Sequence, residues 1–181
     1  MGKKEIDEEF ISELLEDFTL LFSAGTDTTS NSALMMIYYC SANFEVMKNL
    51  LEEIDSFIED DEDIKEEKIK EMRYLDAVFR ETMRMYSPAP ITFFRVAQED
   101  HYLEAFPVRK HTSLTPALLA NSYNEVHFPN PTQFNPERWL KEDGGTIQPF
   151  TWIPFSAGPR TCIGRQLAEM EMKIMVIKLL K

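Results

Sequence analysis

Cysteine is nearly absent. Cys40 and Cys162 are the only two in 181 residues, too few and too far apart in the chain for a disulfide framework. Long hydrophobic runs are missing as well. No stretch of 18 apolar residues occurs, so no segment reads as a membrane-spanning helix. Residues Met1 to Ile6 match neither a secretory leader nor a myristoylation site. Positive charge is in deficit, with 19 Lys and Arg against 31 Asp and Glu and a net charge of −12. That balance excludes nucleic acid as a general partner. Histidine is scarce, and His101, His111 and His127 have no zinc-ligand spacing. There is no internal repeat.

What is present is an ordinary globular mixture, 44% hydrophobic and 28% charged, long enough for one domain with a real core. The acidity is uneven: from Glu52 to Glu71, eleven acidic residues face three lysines. Cys40 lies in an apolar helical stretch and reads as a small core residue. No feature assigns a compartment, and localisation stays open.

Periodicity predicts a mainly helical chain with small β-sheets. A long helix is expected from about Asp7 to Asn43, with Phe10, Leu14, Phe18, Leu21, Phe22 and Gly25 forming one buried stripe. Its middle, from Ala24 to Ser32, is rich in small and hydroxyl residues of poor helix propensity. Packing on both sides is expected to hold it, with a local bend if Thr28 and Thr29 bond back to the carbonyls of Ala24 and Gly25. Further helices are expected over Phe44–Phe57, near Ile64–Lys70 and over Tyr74–Met85, the last ending before Ser87-Pro88-Ala89-Pro90. Ile91–Ala97 and Val108–Leu119 read as short strands. Asn121–Ile153, punctuated by Pro129, Pro131, Pro136 and Pro149, reads as a long ordered coil, which is usually functional. A final helix is expected from about Ile163 to Lys181, apolar at Leu167, Met170, Ile174 and Ile177.

The segment Phe155-Ser156-Ala157-Gly158-Pro159-Arg160-Thr161-Cys162-Ile163-Gly164 is the most informative. It reads as a tight turn that delivers a cysteine to the mouth of a helix, with Gly158 and Gly164 allowing close backbone approach or positive φ. Free N–H groups at the helix start, the helix dipole and the Arg160 charge all favour a thiolate at Cys162. Such a thiolate serves as nucleophile, redox sensor or metal ligand. A nucleophile needs a histidine base, and none stands in a matching motif. Zinc needs further Cys or His ligands at short spacing. One thiolate suits haem iron, whose porphyrin supplies the four equatorial bonds.

The same segment resembles the cytochrome P-450 signature Phe-x-x-Gly-x-Arg-x-Cys-x-Gly at every fixed position. Three further motifs follow the family's order. Ala24-Gly25-Thr26-Asp27-Thr28-Thr29 is similar to its oxygen-activation motif, which implies that Gly25 leaves room for dioxygen and the porphyrin face, Thr28 holds a water and Asp27 relays protons. Glu81-Thr82-Met83-Arg84 is similar to its Glu-x-x-Arg. Pro136-Glu137-Arg138-Trp139 resembles its Pro-Glu-Arg-Phe, with Trp139 in the aromatic place. The last two imply a buried network of Glu81, Arg84 and Arg138 that is structural rather than catalytic and fixes the Cys162 loop.

The resemblance further implies Cys162 as axial ligand of haem b (iron protoporphyrin IX), with Arg160, Phe155, Gly25 and Arg95 around the cofactor and the two arginines meeting its propionates. It covers nearly all of residues 1–181 but only the C-terminal part of one such domain, from the central long helix through the ligand loop and the helix after it. Incompleteness at both ends is therefore expected, with absent segments or another subunit completing the fold. Val108-Arg109-Lys110-His111-Thr112 stands where members show a Pro-Lys-Gly turn, so a different turn is expected there. The implied activity is that of a monooxygenase, an oxidoreductase that inserts one atom of O2 into a small apolar organic substrate. Electrons would come from a flavoprotein reductase or an iron–sulfur protein, with Arg165 and Lys173 as docking cations. The alternative is a truncated, non-catalytic homologue that acts as a structural or interaction subunit.

Overall fold

The computed structural model describes residues 8–59, 64–91, 94–140 and 147–181. Thr92 and Phe93 of the first expected strand, Asp60–Asp63 of the acidic tract and Lys141–Thr146 of the coil lie outside them. The helix α1 runs unbroken over Glu8–Ser41, a length of about 50 Å at 1.5 Å per residue. Glu8 and Glu9 occupy its first turn, where negative charge complements the dipole. Poor helix formers in its middle are accommodated by side chains that bond back one turn. Thr26 Oγ1 donates to the Phe22 carbonyl at 2.7 Å, Thr28 Oγ1 to Ala24 at 2.8 Å and Asn31 Nδ2 to Asp27 at 2.7 Å. The expected back-bonding of Thr28 is present, and the helix continues through it without a break.

Burial departs sharply from the expected stripe. Phe10, Leu14, Phe18, Leu21 and Phe22 are all exposed, Phe18 by 66%. Buried residues on α1 begin only at Thr29 and continue as Ser32, Ala33, Met36 and Cys40. Among the described residues, α1 packs on α2, α4 and α6 through this C-terminal part. The expected buried stripe is therefore not observed on this half of the helix. No described element covers it.

The helix α2 spans Phe44–Phe57 and α3 Glu66–Glu71, joined where Lys68 Nζ donates to the Phe57 carbonyl at 2.9 Å. The helix α4 spans Arg73–Met85. Its first free N–H groups are capped from α2: the backbone N–H of Tyr74 and of Leu75 each donate to a different carboxylate oxygen of Glu53 at 2.7 Å. An anion at a helix start satisfies orphan donors and the dipole together. Leu50, Ile54, Leu75, Val78, Met172 and Ile177 form the centre of the core with Met36 and Cys40.

The strands are shorter than the sequence suggests. β1 (Arg95–Val96) pairs antiparallel with β4 (Ser113–Leu114), and β2 (His101–Leu103) with β3 (Phe106–Val108). The tail of the second expected strand instead folds as α5, Leu118–Ser122. His111 takes φ 68°, the left-handed conformation a glycine adopts readily, while its N–H donates to the Ala97 carbonyl at 2.8 Å. The turn therefore seats histidine in a backbone conformation that glycine adopts at lower cost. The coil then carries a short 3-10 turn at Pro136–Trp139, and a second at Gly158–Arg160 leads into α6, Arg165–Leu180.

Candidate functional site

Glu81 and Arg84 sit one turn apart on α4, and both are completely buried. Arg84 grips Glu81 with two parallel bonds, Nε to Oε2 and Nη2 to Oε1, each 2.8 Å. Its remaining donors reach the coil, with Nη1 to the carbonyls of Ser122 and Pro131 at 2.8 Å and Nη2 to that of Gln133 at 3.2 Å. Phe128 and Tyr123 lie against the guanidinium at 5.4 and 5.9 Å. Glu81 Oε1 also accepts Arg138 Nε at 3.0 Å and the Asn135 N–H at 2.9 Å. Burying charge is tolerable only when each lone pair and proton is matched, and here they are. The expected network of Glu81, Arg84 and Arg138 is present.

Two members of the network were not read from the sequence. Trp139 donates its indole N–H to Glu81 Oε2 at 2.9 Å, so the tryptophan adds a polar bond as well as a ring. Asn135 contributes its backbone N–H and also caps the 3-10 turn by accepting the Glu137 N–H at 3.1 Å. The Asn-Pro step was the available signal, since asparagine before proline favours turn initiation.

From the network the coil leads to the cysteine loop. Trp139 packs on Trp152 with centroids 4.9 Å apart, and Phe79 of α4 stacks on Phe155 at 6.5 Å. Phe155 is thereby anchored, and its carbonyl receives the Cys162 N–H at 2.9 Å and the Thr161 hydroxyl at 3.3 Å. Two left-handed residues shape the turn, Ser156 at φ 64° and Gly158 at φ 76°. Gly164 forms the N-cap of α6, and a Cβ there would lie 4.0 Å from Cys162 Sγ. Cys162 is exposed, and the next residue Ile163 and, one turn into α6, Leu167 expose 91% and 64% of their surface. Of the apolar positions expected along this helix, Leu167 is exposed and Ile177 is buried, together with Met172, Lys173 and Val176.

The two cysteines have opposite environments. Cys40 has no exposure, and burial pushes its thiol up to about 12, which keeps it neutral and inert. Among the described residues, no three His, Cys, Asp or Glu side chains converge on a metal site. The donor set thus offers one accessible sulfur beside an uncovered apolar surface, which fits a flat cofactor carrying its own equatorial ligands.

Gly25, Asp27 and Thr28 lie where α1 leaves the core. Asp27 and Thr28 are exposed and Thr29 is buried. Among the described residues, nothing beyond α1's own backbone lies within 4 Å of a Cβ built on Gly25, so this face of α1 is uncovered. Arg160 is exposed in the 3-10 turn, and Arg95 stands exposed on β1 with Nη1 on the Phe94 carbonyl at 3.3 Å. Of the two expected docking cations, Arg165 pairs with Glu169 at 2.8 Å on the exposed side of α6. Lys173 is not a docking residue: it is buried and bonded to Asp76 at 2.7 Å.

The family model described as Cytochrome P450 matches residues 2–181. The chain is 33% identical over 182 residues to Cytochrome P450 3A2 of Rattus norvegicus, covering 99% of this chain and 36% of that one. It is 36% identical over 175 residues to Cytochrome P450 9e2 of Blattella germanica, with 93% and 32% covered. Against Cytochrome P450 4V2 of Homo sapiens it is 34% identical over 170 residues, again with 93% and 32% covered. The chain spans about a third of the length of the curated relatives it matches. No described helix is long and apolar enough to cross a membrane.

Proposed function

The chain belongs to the cytochrome P450 family, and from that premise we propose that it carries the haem-binding part of a haem-thiolate monooxygenase. The carrying observation is Cys162, an exposed sulfur on a loop whose Phe155 anchor is held against α4. Haem b, when bound, supplies the reductive activation of dioxygen and the insertion of one oxygen atom into an apolar organic substrate. Cys162 would hold the iron through its sulfur. Arg160 and Arg95 would pair with the propionates, since a guanidinium can match a carboxylate with two bonds. Phe155 holds the ligand loop through its carbonyl and its ring.

The open space at Gly25 would leave room for dioxygen and substrate beside the bound cofactor. Thr28 gives its proton to the Ala24 carbonyl, which leaves its oxygen lone pairs free to accept a bond from water. Asp27, exposed beside it, exchanges protons with solvent and relays them to that water, the role general acid–base catalysis requires. Electrons arrive from a flavoprotein reductase or an iron–sulfur protein near the Cys162 loop, with Arg165 the remaining cation for docking. The uncovered apolar side chains of α1 support completion of the pocket by further polypeptide or another subunit, because patches of this kind mark interaction sites.

The test is haem reconstitution of the chain followed by reduction under carbon monoxide. A Soret band at the position of a thiolate-ligated haem is the expected result. Intact folding with no haem uptake would instead favour the structural or interaction role.

A further inference from the structure

One face of α4 carries an arrangement the Glu81 network does not use. Asp76 takes two cations, Lys173 Nζ on Oδ1 at 2.7 Å and Arg80 Nε on Oδ2 at 2.6 Å. Lys173 belongs to α6, eight residues past its start, and its ammonium lies 5.3 Å from the Phe79 ring centroid. The same Phe79 stacks on Phe155, over which Arg165 from the first turn of α6 also lies at 5.7 Å. Arg80 in turn covers Trp152, three residues before Phe155, at 5.9 Å. Asp76 thus ties α6 to α4 directly and reaches the coil ahead of the cysteine through Arg80. A buried ammonium is retained only when paired, and Lys173 among the described contacts has Asp76 as its anion.

We propose that Asp76 and Lys173 are positioning residues: their ion pair sets how α6 sits on α4 and so fixes the Cys162 loop that α6 begins from. The Glu81 network clamps the coil upstream of the loop, and this pair clamps the helix downstream. Cys162 lies between two fixed ends. Neither residue touches the ligand position. Their effect passes through the Phe79–Phe155 stack and the bond from the Cys162 N–H to the Phe155 carbonyl.

The first test does not require haem. Amide hydrogen exchange is followed in the folded chain for wild type, Asp76→Asn and Asp76→Glu. Loss of the pair is expected to speed exchange across residues 155–168 about tenfold, as local opening permits, with residues 46–56 of α2 unchanged. Asp76→Glu restores protection because it keeps the charge. Lys173→Gln provides the same test from the other helix should Asp76→Asn fail to fold. Unchanged exchange in 155–168, or a uniform increase along the chain, overturns the proposal.

The second arm rests on the haem-thiolate reading. In the reconstituted, reduced and CO-treated protein, Asp76→Asn is expected to lose at least half of the thiolate-type Soret band to a band of non-thiolate haem, and Asp76→Glu to regain it. A full thiolate-type band in Asp76→Asn overturns the proposal. A wild-type chain without that band overturns the functional reading alone, since the exchange result stands on its own.

Discussion

Glu81 and Trp139 meet across the junction of helix and coil, with the indole N–H 2.9 Å from the same carboxylate oxygen that accepts Arg84 Nε. Glu81 Oε1 holds Arg84, Arg138 and the Asn135 N–H, so one carboxylate organises five donors from α4 and the coil. Glu81→Gln keeps the shape but strips the charge, leaving the fully buried Arg84 without its anion. A loss of about 3–5 kcal/mol is expected, read as a lower urea midpoint at unchanged slope. A loss below about 1 kcal/mol, the range of surface ion pairs, would contradict the clamp.

Arg84→Lys tests geometry rather than charge. A lysine keeps the cation but cannot offer a planar fork to Glu81 while also reaching the Ser122, Pro131 and Gln133 carbonyls. Destabilisation close to that of Glu81→Gln is expected in the same denaturation experiment.

His111→Gly is expected to stabilise the chain. The histidine occupies φ 68°, a region that costs a side-chain-bearing residue roughly 1–2 kcal/mol, part of which glycine loses again in unfolded-state entropy. A net gain of up to about 1 kcal/mol in thermal or urea unfolding is the prediction.

Asp76 gives a pH dependence. Burial works to raise its carboxyl, but the hydrogen bonds and charges of Lys173 and Arg80 outweigh that and hold it below the ordinary 3.8. A depressed folded-state value means that the stabilisation is present above 3.8 and is lost as pH falls towards and through the lower folded value. The stability difference between wild type and Asp76→Asn should therefore be constant near neutrality and shrink below about pH 4. A difference independent of pH down to acid unfolding would contradict the assignment.

Thiol labelling of the folded, haem-free chain should modify one cysteine. Cys162 is exposed, whereas Cys40 is fully buried with its thiol raised to about 12. Mass spectrometry after alkylation at neutral pH is expected to place the label on Cys162, with Cys40 reacting only on unfolding.

The sequence was most legible where a pattern needs only its own helix and core. The expected Phe44–Phe57 matches α2 in full, and Tyr74–Met85 differs from α4 by one residue. Periodicity was least reliable where the partner surface decides. The α1 stripe and Leu167 have the right spacing for burial but remain exposed, because a pattern states that a face needs cover and not what covers it. Ile91–Ala97 and Val108–Leu119 were overextended as strands. β-branched and aromatic content raises strand propensity, yet among the described residues of those segments only Arg95–Val96 and Ser113–Leu114 face each other in ladder register. At the candidate site, the charged members of the Glu81 network came from motif order, but Trp139's polar bond and the pairing of Lys173 with Asp76 link residues 58 and 97 positions apart. No local pattern encodes such a separation.

The haem-thiolate account stands on the bond from Cys162 sulfur to iron, and substitution of that one atom tests it most directly. Wild type and Cys162→Ser are reconstituted with haem, reduced and exposed to carbon monoxide, and their absorption spectra compared. The thiolate-type Soret band is predicted in wild type and absent in Cys162→Ser, with both proteins folded by circular dichroism. An identical spectrum in the two would contradict the account.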